Sequence, residues 1–160
     1  MAAEYPPFMF AYGIIAEIFA KIQAVEPPPV FSHDFLRFTL GFSRESDRAF
    51  IPLAKRTGLL GTDGKPTELY QRLREPSQAA SAVLTAMKQG YPAFYDKRPD
   101  AHDLDRKLIA TLVSEVTGLA HGHASARAIV GTFFALRTLA QPRVEVKREA
   151  NRRKTVERRR

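Results

Sequence analysis

The chain has 160 residues, a mass of 18.0 kDa, no Cys and no Trp, and a formal charge of +8. That length suits one domain of the usual ~100–200 residues, and 44% hydrophobic with 26% charged residues excludes a wholly disordered chain. The missing Cys excludes disulfide frameworks, thiol catalysis and Cys-ligated zinc or iron–sulfur sites.

Seven helical segments joined by Pro or Gly turns can be read along the chain. The first runs from about Gly13 to Val25, with Ile14, Ile15, Ile18, Phe19 and Ile22 at the spacing of one buried face. Its apolar stretch is broken by Glu17 and Lys21, follows no basic region and is shorter than the ~20 residues that span a bilayer. A soluble, cytoplasmic protein is therefore expected. Glu26-Pro27-Pro28-Pro29 stops this helix, because proline lacks the N–H and crowds the preceding turn. Ser32 then caps a short helix with Phe35, Leu36, Thr39 and Leu40 facing inward, and Gly41 ends it. A further helix spans roughly Ser46 to Thr57 and buries Ala49, Phe50, Leu53 and Ala54, with Pro52 expected to kink it.

Gly58-Leu59-Leu60-Gly61-Thr62-Asp63-Gly64-Lys65-Pro66-Thr67 reads as a small β-hairpin around an Asp-Gly turn. Thr67 caps the next helix, whose apolar side is Leu69, Tyr70 and Leu73. Ser77 opens another, with Ala80, Val83, Leu84 and Met87 inside and Gly90 at its end. Tyr91-Pro92-Ala93-Phe94-Tyr95 is an aromatic patch that reads as core between the two halves rather than a ligand site. Asp103 starts an amphipathic helix through Leu104, Leu108, Ile109, Leu112 and Val116 to Gly118. The last core helix runs from Ser125 to Ala140 with Ile129, Val130, Phe133 and Leu136 inward, before Pro142. Helix, glycine turn and capped helix recur around Gly41 and Gly118, a faint internal repeat.

Helix, helix, turn, helix and hairpin across residues 13–67 is the order of a winged helix-turn-helix. In that layout the 46–57 helix reads nucleic acid and 61–66 is the wing. A reading helix needs basic side chains on its solvent face to reach base edges or phosphates. Arg44, Arg48 and Lys55 lie opposite Phe50 and Leu53, with Arg56 beside them and Lys65 at the wing tip. Ser43 and Ser46 can donate to phosphate near the helix N-terminus, whereas Glu45 and Asp47 would repel it there.

A family resemblance rests on Tyr5-Pro6, Asp34-Phe35-Leu36, Leu40-Gly41, Arg48-Ala49-Phe50-Ile51-Pro52-Leu53, Gly58-Leu59-Leu60 and Asp63-Gly64 with Pro66-Thr67. Leu69-Tyr70, the Tyr91–Tyr95 patch, Thr117-Gly118-Leu119 and Thr132-Phe133 with Ala135-Leu136 extend it. In these motifs the chain resembles an uncharacterised bacterial and archaeal family, a domain of unknown function with a winged-helix-like front half. The resemblance covers most of residues 5–140, implies a fold, and carries over no catalytic residue.

Enzyme signatures are weak. His121-Gly122-His123 has metal-chelating spacing but no third ligand beside it, and His33 and His102 stand alone. Asp100, His102, Asp103 and Asp105 read as helix-terminus chemistry. No phosphate-binding glycine loop, nucleophile elbow or informative carboxylate pair is present in the sequence.

Residues 141–160 hold nine Lys/Arg against three Glu, which leaves only +2 for residues 1–140. The sequence pI of about 10.0 is thus a property of the tail, where Arg152, Arg153, Lys154, Arg158, Arg159 and Arg160 form a sequence-blind anchor for phosphates.

The expected fold is mainly α. It comprises a winged helix-turn-helix-like front half (13–75) with one small β-hairpin, a helical back half (77–140) and the basic tail. The expected function is non-catalytic nucleic-acid binding, DNA before RNA, in a regulatory role or within a larger nucleoprotein assembly. The contacts are expected from Arg44, Arg48, Lys55, Arg56, Lys65 and the six tail residues, with no cofactor, metal, membrane or small-molecule substrate. The alternative is an adaptor that docks a protein partner on its helical surface. Chelator treatment is expected to leave folding and binding intact. Stoichiometric zinc retained through purification and lost only on unfolding would overturn that expectation.

Overall fold

The computed structural model describes residues 5–140. Helices α1 (Ile15–Ala24), α2 (Phe50–Arg56), α3 (Glu68–Arg74), α4 (Ala79–Gly90), α5 (Pro92–Lys97), α6 (Arg106–Thr117) and α7 (Ala124–Ala140) are joined by shorter turns. A 3₁₀ turn at Tyr12–Ile14 leads into α1, a π-helical turn spans Phe35–Thr39, and 3₁₀ turns occupy Glu45–Ala49 and Ala101–Asp103. The architecture is mainly helical, as expected.

The apolar lines of the helices become one core. Ile15, Ile18, Phe19 and Ile22 of α1 are buried together with Leu36, Phe50, Leu53, Tyr70 and Leu73. The same cluster continues through Val83 and Met87 of α4, Ile109, Leu112 and Val113 of α6, and Ile129, Val130, Phe133 and Leu136 of α7. Leu53 is 3% exposed and Phe133 fully enclosed. Helix α7 lies against α1, α4, α6 and the Tyr12–Ile14 turn, and α3 packs on α1 and α4.

Two aromatic groups organise the halves. In front, Phe31 meets Phe35, Phe50 and Tyr70 with ring centroids 5.0, 5.7 and 6.3 Å away. Behind, Tyr91, Phe94 and Phe133 sit mutually within 5.2–5.4 Å. The Tyr91 hydroxyl donates to Pro7 O, so Tyr91 and Phe94 are core and Tyr91 ties down the N-terminal segment, whereas Pro92 and Ala93 are exposed and Tyr95 is half-buried.

Capping follows the residue types. Ser32 Oγ accepts from Phe35 N (3.1 Å), Thr67 Oγ1 from Tyr70 N (3.4 Å) and Asp105 Oδ1 from Leu108 N (2.8 Å). Asp105 therefore starts α6, and Asp103 closes the 3₁₀ turn before it. At α7 the cap is His123, whose Nδ1 accepts from Ser125 N at 3.0 Å. The helix expected from Ser77 begins at Ala79.

Other expectations need correction. The β-hairpin does not form: among the described residues no strand is present, and Leu60 and Pro66 make only an isolated antiparallel bridge. Pro66 has no N–H, so the ladder cannot return a bond from that residue. The loop is held instead by Gly61 N donating to Lys65 O (2.9 Å) and Phe31 N donating to Gly64 O (2.8 Å). Pro52 does not kink a helix, because the chain runs as a 3₁₀ turn to Ala49 and Pro52 falls in the first turn of α2, where its missing donor costs little. Leu108 is 44% exposed and Thr39 faces solvent. The repeat survives only as positive φ at Gly41 and Gly118 (86° and 76°): the first hairpin is built of π and 3₁₀ turns, the second of two long α-helices.

Truncating Phe133 to Ala should cost ~3–5 kcal/mol, read by denaturant unfolding; an unchanged midpoint would mean the α7 face is misassigned. Burial pushes the Tyr70 and Tyr95 phenols up to about 12, and Tyr91 further in the same direction. The unfolded chain releases these protons near pH 10 while the fold retains them. Stability should therefore hold below pH ~10 and fall between ~10 and 12. Melting curves against pH and tyrosinate absorbance check this, and complete ionisation near pH 10 in the intact fold would contradict it.

Candidate nucleic-acid interface

The basic residues of the front half are placed by its proline breaks. After Gly41 the chain is extended at Arg44 (φ −74°, ψ 148°) and then enters the Glu45–Ala49 turn. Asp47 fixes that entry: its Oδ2 accepts from Arg44 N (3.1 Å) while its own N–H donates to Arg44 O (3.0 Å). The carboxyl is only 2% exposed and its Oδ1 has no protein partner among the described residues. Asp47 is thus a structural cap beneath the surface rather than a carboxylate standing on the face. Glu45 does stand on it, exposed and 3.7 Å from Arg48 Nη1.

His33, Leu36, Arg37, Ser43, Arg44 and Arg48 line one cleft of about 170 Å³, with Asp34, Phe42 and Glu45 completing the wall. Three arginines and two acidic residues therefore border it. Drug-sized ligands need pockets of ~300–1,000 Å³, so this cleft suits a small group, and a phosphate fits within it. Arg48 Nε donates to His33 Nδ1 at 3.5 Å. Both this contact and the Glu45 pair are solvent-exposed. Such exposed ion pairs contribute ~0–1 kcal/mol, so Glu45 holds Arg48 only weakly.

The five body residues expected to bind do not form one site. Arg44 and Arg48 share the cleft. Lys55 is exposed on α2, seven residues after Arg48 and so two turns along the same side. Arg56 turns to another surface, where it borders Tyr5, Pro6, Pro7, Phe8, Pro52 and Leu53, and its Nη1 donates to Tyr5 O. Lys65 lies at the 61–66 loop, with Nζ 3.9 Å from Asp63 Oδ2. The tail residues Arg152, Arg153, Lys154, Arg158, Arg159 and Arg160 lie outside the described residues.

Three neighbours were not picked out as contacts by sequence reading. His33 and Arg37 line the cleft. The Arg37 guanidinium sits 5.1 Å over the ring of Phe38, and Phe38 is 72% exposed. The available signal was that Arg37-Phe38 falls between the inward positions Leu36 and Leu40 of its segment, leaving an aromatic with nothing to pack on.

The remaining polar groups have structural roles. Asp100 accepts from Arg98 Nε and Nη2, both at 3.1 Å, and these bonds hold its carboxyl below the usual carboxylate range. His102 lies beside Tyr95 (5.7 Å between rings) and 3.6 Å from Asp103. Among the described residues no group of three or more His, Asp or Glu side chains is gathered as a metal site would require, and no helix is long and apolar enough to cross a membrane. Comparison with curated proteins and with solved structures gives no match. A family model does match residues 7–146, nearly the whole of the described chain and the start of the tail. The chain belongs to that family, a family of unknown function (DUF5343).

Proposed function

We propose that the protein is a non-catalytic nucleic-acid-binding protein of the prokaryotic cytoplasm, working in regulation or inside a larger nucleoprotein assembly. The observation that carries this reading is the convergence of Arg37, Arg44 and Arg48 with Ser43 on one cleft that a phosphate fits. The front half serves as a reduced winged helix-turn-helix: α2 and the 3₁₀ turn before it form the contacting element, and the 61–66 loop replaces the wing. The tail adds affinity without sequence preference, because clustered Lys and Arg neutralise phosphates, which carry no sequence information. DNA is favoured over RNA on the winged-helix layout alone.

An adaptor that docks a protein partner is the second reading, favoured by the exposed Phe10, Val30 and Phe38. These side chains come from three separate segments, and scattered exposed apolar residues are ordinary on protein surfaces. The nucleic-acid reading therefore leads.

The two basic elements separate by salt dependence. Changing the six tail residues from Arg152 to Arg160 to Gln should lower the slope of log K against log salt by ~3.6–5.4, if ~4–6 of them neutralise phosphates at ~0.9 each. Arg48→Ala should cost ~1–3 kcal/mol at a preferred site. Titrations of duplex and single-stranded DNA at several salt concentrations measure both. Should the tail variant bind neither form at about 50 mM salt, while Arg48→Ala in the full chain matches wild type, the adaptor reading replaces this one.

A further inference from the structure

Resting on that reading of the same cleft, we infer that it takes an unpaired strand, with a base stacked on Phe38 and the adjoining phosphate held by Arg37, Arg44 and Arg48. Phe38 and the cleft are connected through one side chain. Arg37 lines the cleft and also covers one face of the Phe38 ring at 5.1 Å, while the ring as a whole remains 72% exposed. An aromatic ring left this open keeps a large apolar surface in water, and its neighbour at the cleft is a cation. Base stacking beside a phosphate contact is what single-strand sites are made of.

A duplex can still reach the arginines, but it cannot use the exposed ring of Phe38. Its bases are stacked on one another and offer only their edges in the grooves, so a flat exposed ring finds no partner there. Reading those edges takes a helix laid in the major groove. The corresponding element here is a five-residue 3₁₀ turn and a seven-residue helix, with Arg48 in the turn. The sugar distinguishes nothing at this site: an unpaired deoxyribose or ribose strand presents the same base face and the same phosphate, so the two are separated by experiment.

The chain has five Tyr but no Trp, so Phe38→Trp introduces a single indole at the platform, excited selectively at wavelengths the tyrosines do not absorb. The full-length protein and its Phe38→Trp and Phe38→Ala variants are titrated with oligo-dT, oligo-U and a duplex of equal length, with polyphosphate as a ligand that has charge but no bases. The expected result is tighter binding of the single strands than of the duplex. Phe38→Ala should weaken single-strand binding by about 5–150-fold, the span of base–aromatic stacking, with little change on the duplex. Phe38→Trp should bind as wild type, its emission quenched by oligo-dT or oligo-U and unmoved by polyphosphate. Comparison of dT with U then states which sugar is preferred. Nucleic-acid binding that Phe38→Ala leaves unchanged, or that does not quench the indole emission of the Phe38→Trp variant, overturns the stacking platform and leaves the wider reading standing. Absence of binding to any of the three nucleic acids overturns both. Phe38 packs against little, so a thermal melt of Phe38→Ala should match wild type, and loss of binding in a variant with an unchanged melt is the supporting outcome.

Discussion

The burial of α7 is the constraint from which the rest of the fold is built. Ala126, Ile129, Val130, Gly131, Thr132, Phe133 and Leu136 are all enclosed, which only a helix covered on several sides can achieve. Covering it requires α1 from the front half, α4 and α6 from the back half, and the N-terminal segment. Small residues set the approach: the Tyr12 ring lies so close over Gly131 that a Cβ there would strike it. The Thr132 hydroxyl donates to Ala128 O (2.8 Å) and accepts from Met9 N (3.1 Å), so the one polar side chain buried in α7 also pins the chain entering the fold. A hydroxyl in that setting must be satisfied, since an unpartnered buried donor or acceptor costs ~1–3 kcal/mol.

With α1 anchored on α7, the front half is left to pack through aromatic rings rather than long helices. Phe31 sits between Phe35, Phe50 and Tyr70, and each of these comes from a different short element. Proline supplies the breaks. Pro27, Pro28 and Pro29 stop α1, and Pro52, which has no N–H to donate, sits in the first turn of α2. The cleft is a consequence. Residues 33–37 and 43–48 are turns whose outward side chains converge because the rings behind them, Phe31, Phe35 and Phe50, are packed together.

Periodicity made the long helices legible. The apolar lines of α1, α4, α6 and α7 were readable because burial on one face imposes a 3.6-residue period, and Leu53 and Phe133 fell where that period put them. The failures have specific causes. The Gly58–Thr67 hairpin looked plausible from two leucines, the Asp63-Gly64 turn and a polar return, but Pro66 withholds the ladder donor and leaves one bridge. Leu108 fitted the α6 stripe, yet the buried line is Ile109, Leu112 and Val113, and Leu108 lies at its edge, 44% exposed. The helix expected to start at Ser125 begins at Ala124, with His123 Nδ1 accepting from Ser125 N. At the candidate site, Arg44 and Arg48 were legible as outward cations. Arg37, His33 and Phe38 were not, because a π-helical turn follows neither helical nor strand periodicity.

Charge distribution limits what the folded body can do by itself. Residues 1–140 carry only +2, and several exposed cations are offset locally: Arg48 by Glu45, Lys65 by Asp63, Arg98 by Asp100. Long-range attraction of a polyanion must therefore come from the last twenty residues, where nine cations stand against three carboxylates. At physiological salt such attraction is screened beyond ~8 Å, so it brings a strand to the protein without choosing its register. Choice requires contacts at fixed positions, and among the described residues the clearest candidates are those on the 33–48 surface, where Arg37 joins an open aromatic ring to a cleft of guanidinium groups. On the proposed reading, capture and discrimination would fall to different parts of the chain. The exposed pair between Arg48 and Glu45 is weak enough to be compatible with that division, since a surface ion pair of this kind contributes ~0–1 kcal/mol.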